Sequence, residues 1–195
     1  MNYNIDYFIF SKPIYKDNRG FFIEKFNVTT NNFKFDIKQV STSFSKKYTF
    51  RGFHFEVYNK MNKIVHVKDG HVVFFLLDLR LKKPSIHKIE IKSANKKDDE
   101  LKFLYVPWYY AIGFLTFKKS TVEYFHDSNR SINNRSINIK SFKNLKTFYK
   151  KIKHISKNDF NAQSWKEWKK NMNETKFFNR NLDMLKRCLN TAQKL

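Results

Sequence analysis

The chain has 195 residues, long enough to bury one substantial core and short for two independent domains. Its single cysteine, Cys188, excludes an internal disulfide and any Cys-rich metal site, and the longest apolar run, residues 72–77, falls far below the roughly 20 residues that cross a bilayer. Its 39 Lys+Arg against 17 Asp+Glu, a net charge of +22, would attract polyanions, but the excess is densest in the tail, where residues 140–195 hold 15 Lys+Arg and 4 Asp+Glu. Lys, Asn, Ile and Phe are abundant together, as codon drift towards A and T would produce, so charge alone does not assign a nucleic-acid partner and none is expected. MNYNIDYFIFSKP lacks the basic start and long apolar stretch of a secretory signal, so the expectation is a soluble, cytoplasmic protein with no membrane span.

From about Asp6 to Ile139 the pattern is that of strands. FFIEKF, VSTSFS, FRGFHF, IVHV, HVVFFLLDLR, IHKIEI, LKFLYVP and TVEYF are short, rich in β-branched and aromatic residues, and separated by polar or turn residues, which predicts an antiparallel sandwich or barrel. Lys68-Asp69-Gly70-His71 reads as a tight hairpin turn, since Asp-Gly readily adopts the positive φ such turns need, and residues 93–100 read as a solvated loop. After Ile139 the chain is basic and weakly patterned. Further on, Trp165, Trp168 and Met172, then Leu182, Leu185 and Leu189, fall at helical spacing and predict two short amphipathic helices. The expected division is a β domain over residues 1–142 and a basic, mostly helical extension over 143–195 packed on it.

The stretch 51–80 plants Arg51, His54 and Lys63 among alternating apolar residues, so a guanidinium, an imidazole and an ammonium are candidates for one functional face. A lone histidine in a strand is more often a satisfied core residue; the company of Arg51 and Lys63 favours chemistry. The four glycines sit in DNRGFF, FRGFHFE, KDGH and VPWYYAIGF, as Gly20, Gly52, Gly70 and Gly113. With those blocks the sequence resembles the dTDP-4-dehydrorhamnose 3,5-epimerase family of sugar-nucleotide enzymes, from about Pro13 to Asp159. The resemblance implies a mainly β, cupin-type antiparallel jelly roll with a short C-terminal helical extension, a homodimer, a nucleotide-sugar substrate carrying a 4-keto-6-deoxy sugar, and no cofactor.

Residue by residue, DNRGFFIEKF places Arg19 and Glu24 at nucleotide-contacting positions. QVSTSFS carries Gln39, Ser43 and Ser45, with Ser41 where the family has Asn. FRGFHFE puts Arg51 at the phosphate-side arginine and His54 at the catalytic base, with Glu56 replacing a substrate-side Gln, and NKIVHVKDGHV gives Lys63 the catalytic lysine position. The implied chemistry is proton removal beside a ketone by His54, whose imidazole type is a neutral base at physiological pH, with Lys63 stabilising the enolate oxygen and Arg51 and Arg19 holding the pyrophosphate. ISKND offers Asp159 either as the carboxylate that orients the base or as a plain helix N-cap, and both readings stay open.

The resemblance breaks at chemically important places. Ile112 stands where the family has a second active-site histidine. Tyr124 is kept, while the tyrosine pair after it, taken to include the proton donor, is replaced by Asn129 and Arg130, so Tyr109, Tyr110 and His126 remain open as donors. A metal-dependent cupin would need three or four converging ligands where only His54-x-Glu56 is present, so no metal is expected. The alternative function is a catalytically degenerate jelly roll that binds a nucleotide sugar or an acidic partner without epimerising it.

Overall fold

The computed structural model describes residues 6–27, 35–95, 97–171, 174–176, 179–181 and 183. One five-stranded sheet orders β1 (Phe8–Pro13), β9 (Glu100–Val106), β6 (Lys63–Asp69), β11 (Ser120–His126) and β4 (Gln39–Ser45). The facing sheet orders β12 (Asn134–Ser136), β5 (Phe50–Glu56), β10 (Tyr110–Thr116), β7 (His71–Asp78) and β8 (Ile86–Lys92), while β2 (Tyr15–Asp17) and β3 (Gly20–Phe22) form a separate hairpin. Every strand pairing is antiparallel, giving the mainly β jelly roll that the strand cadence predicts.

Burial explains which strands read clearly. β10 is buried at every position and β7 at all but its first, because the opposite sheet covers one face and the C-terminal segment reaches the other, with Phe148 edge-on to Phe75 at 5.0 Å. β4 lies at a sheet edge, alternates in burial and leaves Val40 and Phe44 exposed. The strand runs read from the sequence omit β1, β2, β10 and β12. Of FFIEKF only Phe21 and Phe22 are strand, as the end of β3.

The Lys68–His71 turn is not a hairpin. β6 and β7 lie in different sheets, so the chain turns a corner of the sandwich there. Gly70 has φ +100°, and a Cβ at this position would fall 2.2 Å from Ser120 Oγ and 2.4 Å from the Lys119 carbonyl. The glycine therefore permits close approach to the β10–β11 connection, a demand that the local Asp-Gly signal could not distinguish from that of a two-residue loop.

Beyond β12 the chain makes 3-10 turns at Ile139–Ser141 and Lys143–Leu145 and short helices α1 (Lys146–Tyr149), α2 (Lys157–Phe160) and α3 (Trp165–Lys170). Ser164 and Glu167 form a reciprocal capping box that starts α3 and turns Trp165 and Trp168 inward. These rings join Phe142 and Leu145 in the same core cluster as both sheets, and Trp168 packs edge-on against Phe55 at 5.3 Å. Met172, Leu182, Leu185, Cys188 and Leu189 lie outside the described residues. Trp168→Ala should cost about 3–5 kcal/mol in a denaturant melt, the usual loss for a fully buried large aromatic. An unchanged midpoint would mean that α3 is not part of the cooperative core.

Candidate active site

Two adjoining cavities open between and beside the sheets. The inner one, of about 350 Å³, is lined from one sheet by Arg51, His54 and Ile112 and from the other by Gln39, Ser43, Lys63, Tyr124 and His126, with Arg130 at its border. The outer one, of about 800 Å³, shares Arg51, His54, Arg130 and Asn134 with it and reaches Asp159 and the polar residues around α2. Alternation puts Tyr124 and His126 on one face of β11, and Lys63 comes from the neighbouring β6, whereas Arg51 and His54, three apart in β5, reach the same cavity across the register irregularity between the pairs Ile112–His54 and Phe114–Arg51.

His54 Nε2 lies 2.7 Å from Asp159 Oδ1. Burial pushes the Asp159 pKa up, but hydrogen bonds from His54 and the Gly52 N–H and contact with Ser156 outweigh it and hold this carboxyl below the ordinary carboxylate range. An ionised carboxylate only accepts, so His54 donates through Nε2–H and keeps the Nδ1 lone pair as its basic site. Asp159 is not the N-cap of α2. That role belongs to Ser156, whose hydroxyl oxygen accepts from the Asp159 N–H and so aims the carboxylate at β5.

Lys63 is buried, and desolvation lowers its pKa to about 8 against the opposing pull of Glu56 and Asp127; Arg130 lowers it further. Its Nζ donates to the Met61 carbonyl at 3.4 Å. Glu56 is also buried. Its carboxylate accepts from Ser131 Oγ at 2.5 Å and Asn134 Nδ2 at 3.2 Å, which fastens the segment carrying Arg130 beside the cavities. Arg51 is held by Nε donating to Ser45 Oγ at 3.0 Å and Nη2 to the Phe44 carbonyl at 3.1 Å. Gln39 donates to Ser41 Oγ at 3.0 Å and accepts from the Arg130 N–H at 2.9 Å.

Two expected positions fall elsewhere in the chain. Arg19 projects from the β2–β3 hairpin with 86% of its side chain exposed, paired to Asp17 at 2.6 Å, and lines neither cavity. Glu24, just beyond β3, is exposed and accepts from Asn27 Nδ2 at 3.1 Å. Of the three open donors, Tyr109 and Tyr110 pack around Arg80, with the Tyr110 hydroxyl donating to Asp6 at 2.5 Å, away from the cavity; only His126 lines it. Tyr124, which sequence reasoning kept but gave no role, also lines the inner cavity. Its hydroxyl is 3.2 Å from Ser43 Oγ, and its pKa is pushed up to about 12 by burial, against the effects of Ser43 and Arg51. Its place one alternation before His126 in TVEYFH was the available signal.

Fold and site together define a jelly roll with a basic cavity whose walls converge an imidazole hydrogen-bonded to a carboxylate, a buried lysine and a guanidinium. A family model described as dTDP-4-dehydrorhamnose 3,5-epimerase matches residues 5–167. The chain belongs to that family. Curated relatives carrying the same name include those of Salmonella typhimurium, 30% identical over 119 residues covering 57% of this chain, and Methanothermobacter thermautotrophicus, 30% identical over 110 residues covering 55%. The matched stretches span 62% and 58% of those relatives' own lengths.

Among solved structures, the dTDP-4-dehydrorhamnose 3,5-epimerase of Sulfolobus tokodaii is similar with a TM-score of 0.69 and 24% identity over 86% of this chain and 94% of that one. The dTDP-6-deoxy-D-glucose-3,5-epimerase of Legionella pneumophila, in complex with dTDP-4-keto-L-rhamnose, is similar with a TM-score of 0.66 and 23% identity over 84% and 90%. At these identities the likeness to solved structures concerns the fold. Among the described residues no helix is long and apolar enough to cross a membrane, and no three His, Cys, Asp or Glu side chains group to hold a metal ion.

The burial of Lys63 sets a pH dependence. An unfolded-chain lysine stays protonated up to about 10.4 whereas folded Lys63 loses its proton near 8, so between those values the unfolded chain binds more protons and stability rises with pH. Lys63→Met should remove part of that rise in melts taken from pH 7 to 10. Lys169, which burial also lowers to about 8, contributes to the remainder. An identical slope in wild type and variant would show that Lys63 is solvated.

Proposed function

We propose that the protein epimerises a carbon beside the ketone of a 4-keto-6-deoxy nucleotide sugar without a cofactor, as a cytoplasmic enzyme of polysaccharide sugar biosynthesis. The observation that carries this reading is that His54 and Tyr124 line one cavity from opposite sheets, with Lys63 on the Tyr124 side. Inversion requires removal of a proton from one face of the carbon and delivery to the other, which a base and a donor on facing walls supply.

In the first step His54 Nδ1 takes the proton from the carbon next to the ketone. The C–H electron pair becomes the enolate double bond, and the carbonyl π pair moves onto oxygen. Asp159 holds the imidazole in the required tautomer and stabilises the imidazolium that forms. The Lys63 ammonium faces the oxygen that gains charge, an electrostatic contribution that is largest in a desolvated cavity. In the second step the Tyr124 phenol returns a proton to the opposite face of the carbon and the carbonyl re-forms. Burial keeps this phenol protonated at physiological pH, whereas the His126 ring, with a pKa lowered to about 4 by burial, Lys63 and Arg130, carries no acidic proton there.

Arg51 binds the pyrophosphate through its planar guanidinium, with Gln39 and Glu56 ordering the substrate-side wall. Arg19 and Glu24 act from a second copy of the chain. The hairpin that bears Arg19 exposes Tyr15, Phe21 and Phe22, and β4 offers an open edge, both of which a homodimer would cover. The substitutions at Ile112, Asn129 and Arg130 favour one further reading, a binder that has lost turnover.

Incubation with a dTDP-4-keto-6-deoxy sugar in deuterated water separates the two, because epimerisation must wash deuterium into the carbon that loses its proton. His54→Ala should slow exchange by roughly 10²- to 10⁴-fold with little change in dTDP affinity, since the base acts in the transition state. Wild-type exchange should fall above pH 8 as Lys63 loses its charge. Binding without exchange at any carbon over hours would leave the binder reading.

A further inference from the structure

His126 lines the inner cavity, yet the reaction above does not use its ring. The side chain is buried, with the residue only 7% exposed, and Nδ1 has no hydrogen-bond partner. Its backbone, not its ring, ties down the strand, since the His126 carbonyl accepts from the Lys38 N–H at 2.8 Å. In the β11–β6 register His126 stands directly opposite Lys63, so the two side chains share a face. Tyr124, on that same face, stacks on it with ring centroids 6.1 Å apart and planes 11° from parallel. Across the cavity stands the apolar Ile112, which faces His54 in the β10–β5 register. A buried imidazole nitrogen left without a partner is unfavourable, and the ring borders a cavity in which a polar ligand can reach it.

We propose that His126 contacts the substrate and donates a ring N–H to the sugar's ketone oxygen, alongside Lys63 Nζ. This rests on the epimerase reading and adds to it a hydrogen-bond donor from β11. Burial, together with the positive charges of Lys63 and Arg130, pushes the His126 pKa down to about 4, so the ring enters the reaction uncharged. A neutral imidazole polarises a carbonyl without placing a second cation beside the ammonium, and its hydrogen bond strengthens as charge develops on the oxygen. With Nδ1 unpaired, no protein group dictates the tautomer, and the bound oxygen draws the proton to the nitrogen that faces it.

The test uses the full chain labelled with ¹⁵N-histidine, with dTDP and dTDP-4-keto-6-deoxyglucose as probes. The His126 ring signals, identified by their absence from His126→Phe, should shift with the keto sugar and not with dTDP. His126→Phe should lower the exchange rate of the bound ketone on the order of a hundredfold with dTDP affinity unchanged, and His126→Gln, which keeps an N–H, should recover part of it. Ring signals that respond equally to both probes or to neither, or exchange at the wild-type rate in both variants, would overturn the proposal. Wild-type protein that shows no exchange sinks the epimerase reading, while the ring signals still decide whether His126 meets the ketone.

Discussion

The contact between His54 and Asp159 joins residues 105 positions apart, and the geometry of the site depends on it. To deliver Asp159, the chain after β12 must run back along β5. Thr49 bridges to His154, the Phe50 N–H donates to the His154 carbonyl at 2.9 Å, and Ile137 bridges to Gln163. Ordering so long a return is entropically costly, and the burial of Phe142, Leu145, Trp165 and Trp168 offsets it. Site geometry and core packing are thus one construction, in which the basic C-terminal segment supplies both the carboxylate that meets His54 and the apolar surface that keeps it in place.

Burying Lys63 makes the cavity expensive. Desolvation of an ammonium costs on the order of several kcal/mol, and the interior must answer with charge. Glu56 and Asp127 do so, each itself held by hydrogen bonds, Glu56 from Ser131 and Asn134 and Asp127 from the backbone and side chain of Asn62. Glu56 stands where the family resemblance expects an amide. In this chain it offsets the lysine's charge and also anchors the segment bearing Arg130, so the two departures from the family pattern are physically coupled.

The large positive charge finds partial structural use. Lys140 Nζ sits 3.3 Å from the Phe160 ring centroid, and Lys169 Nζ lies 4.6 Å and 4.5 Å from the Trp165 and Trp168 centroids while donating to the Leu79 carbonyl. These ammonium groups pack against aromatic faces of the chain's own C-terminal segment, and their alkyl stems cover apolar surface. A count of lysines therefore overstates the charge presented as a patch to polyanions.

The strand class, the FRGFHFE and NKIVHVKDGHV blocks and the pairing of Trp165 with Trp168 were legible in the sequence, because alternation and helical spacing are local properties of a chain near a water boundary. β10 was not, since a strand covered on both faces loses its alternation. The Asp-Gly turn showed that the chain bends at Gly70, but whether it pairs β6 with β7 or crosses between sheets depends on neighbours far away in sequence. Residue types at positions 51, 54 and 63 by themselves announced a base, an ammonium and a guanidinium. Only the tertiary structure decided that Asp159 meets His54, that Tyr109 and Tyr110 turn away to Arg80, and that Tyr124 and His126 face the cavity, because those choices are made by which sheets close on one another and by which polar groups the closed space leaves dry.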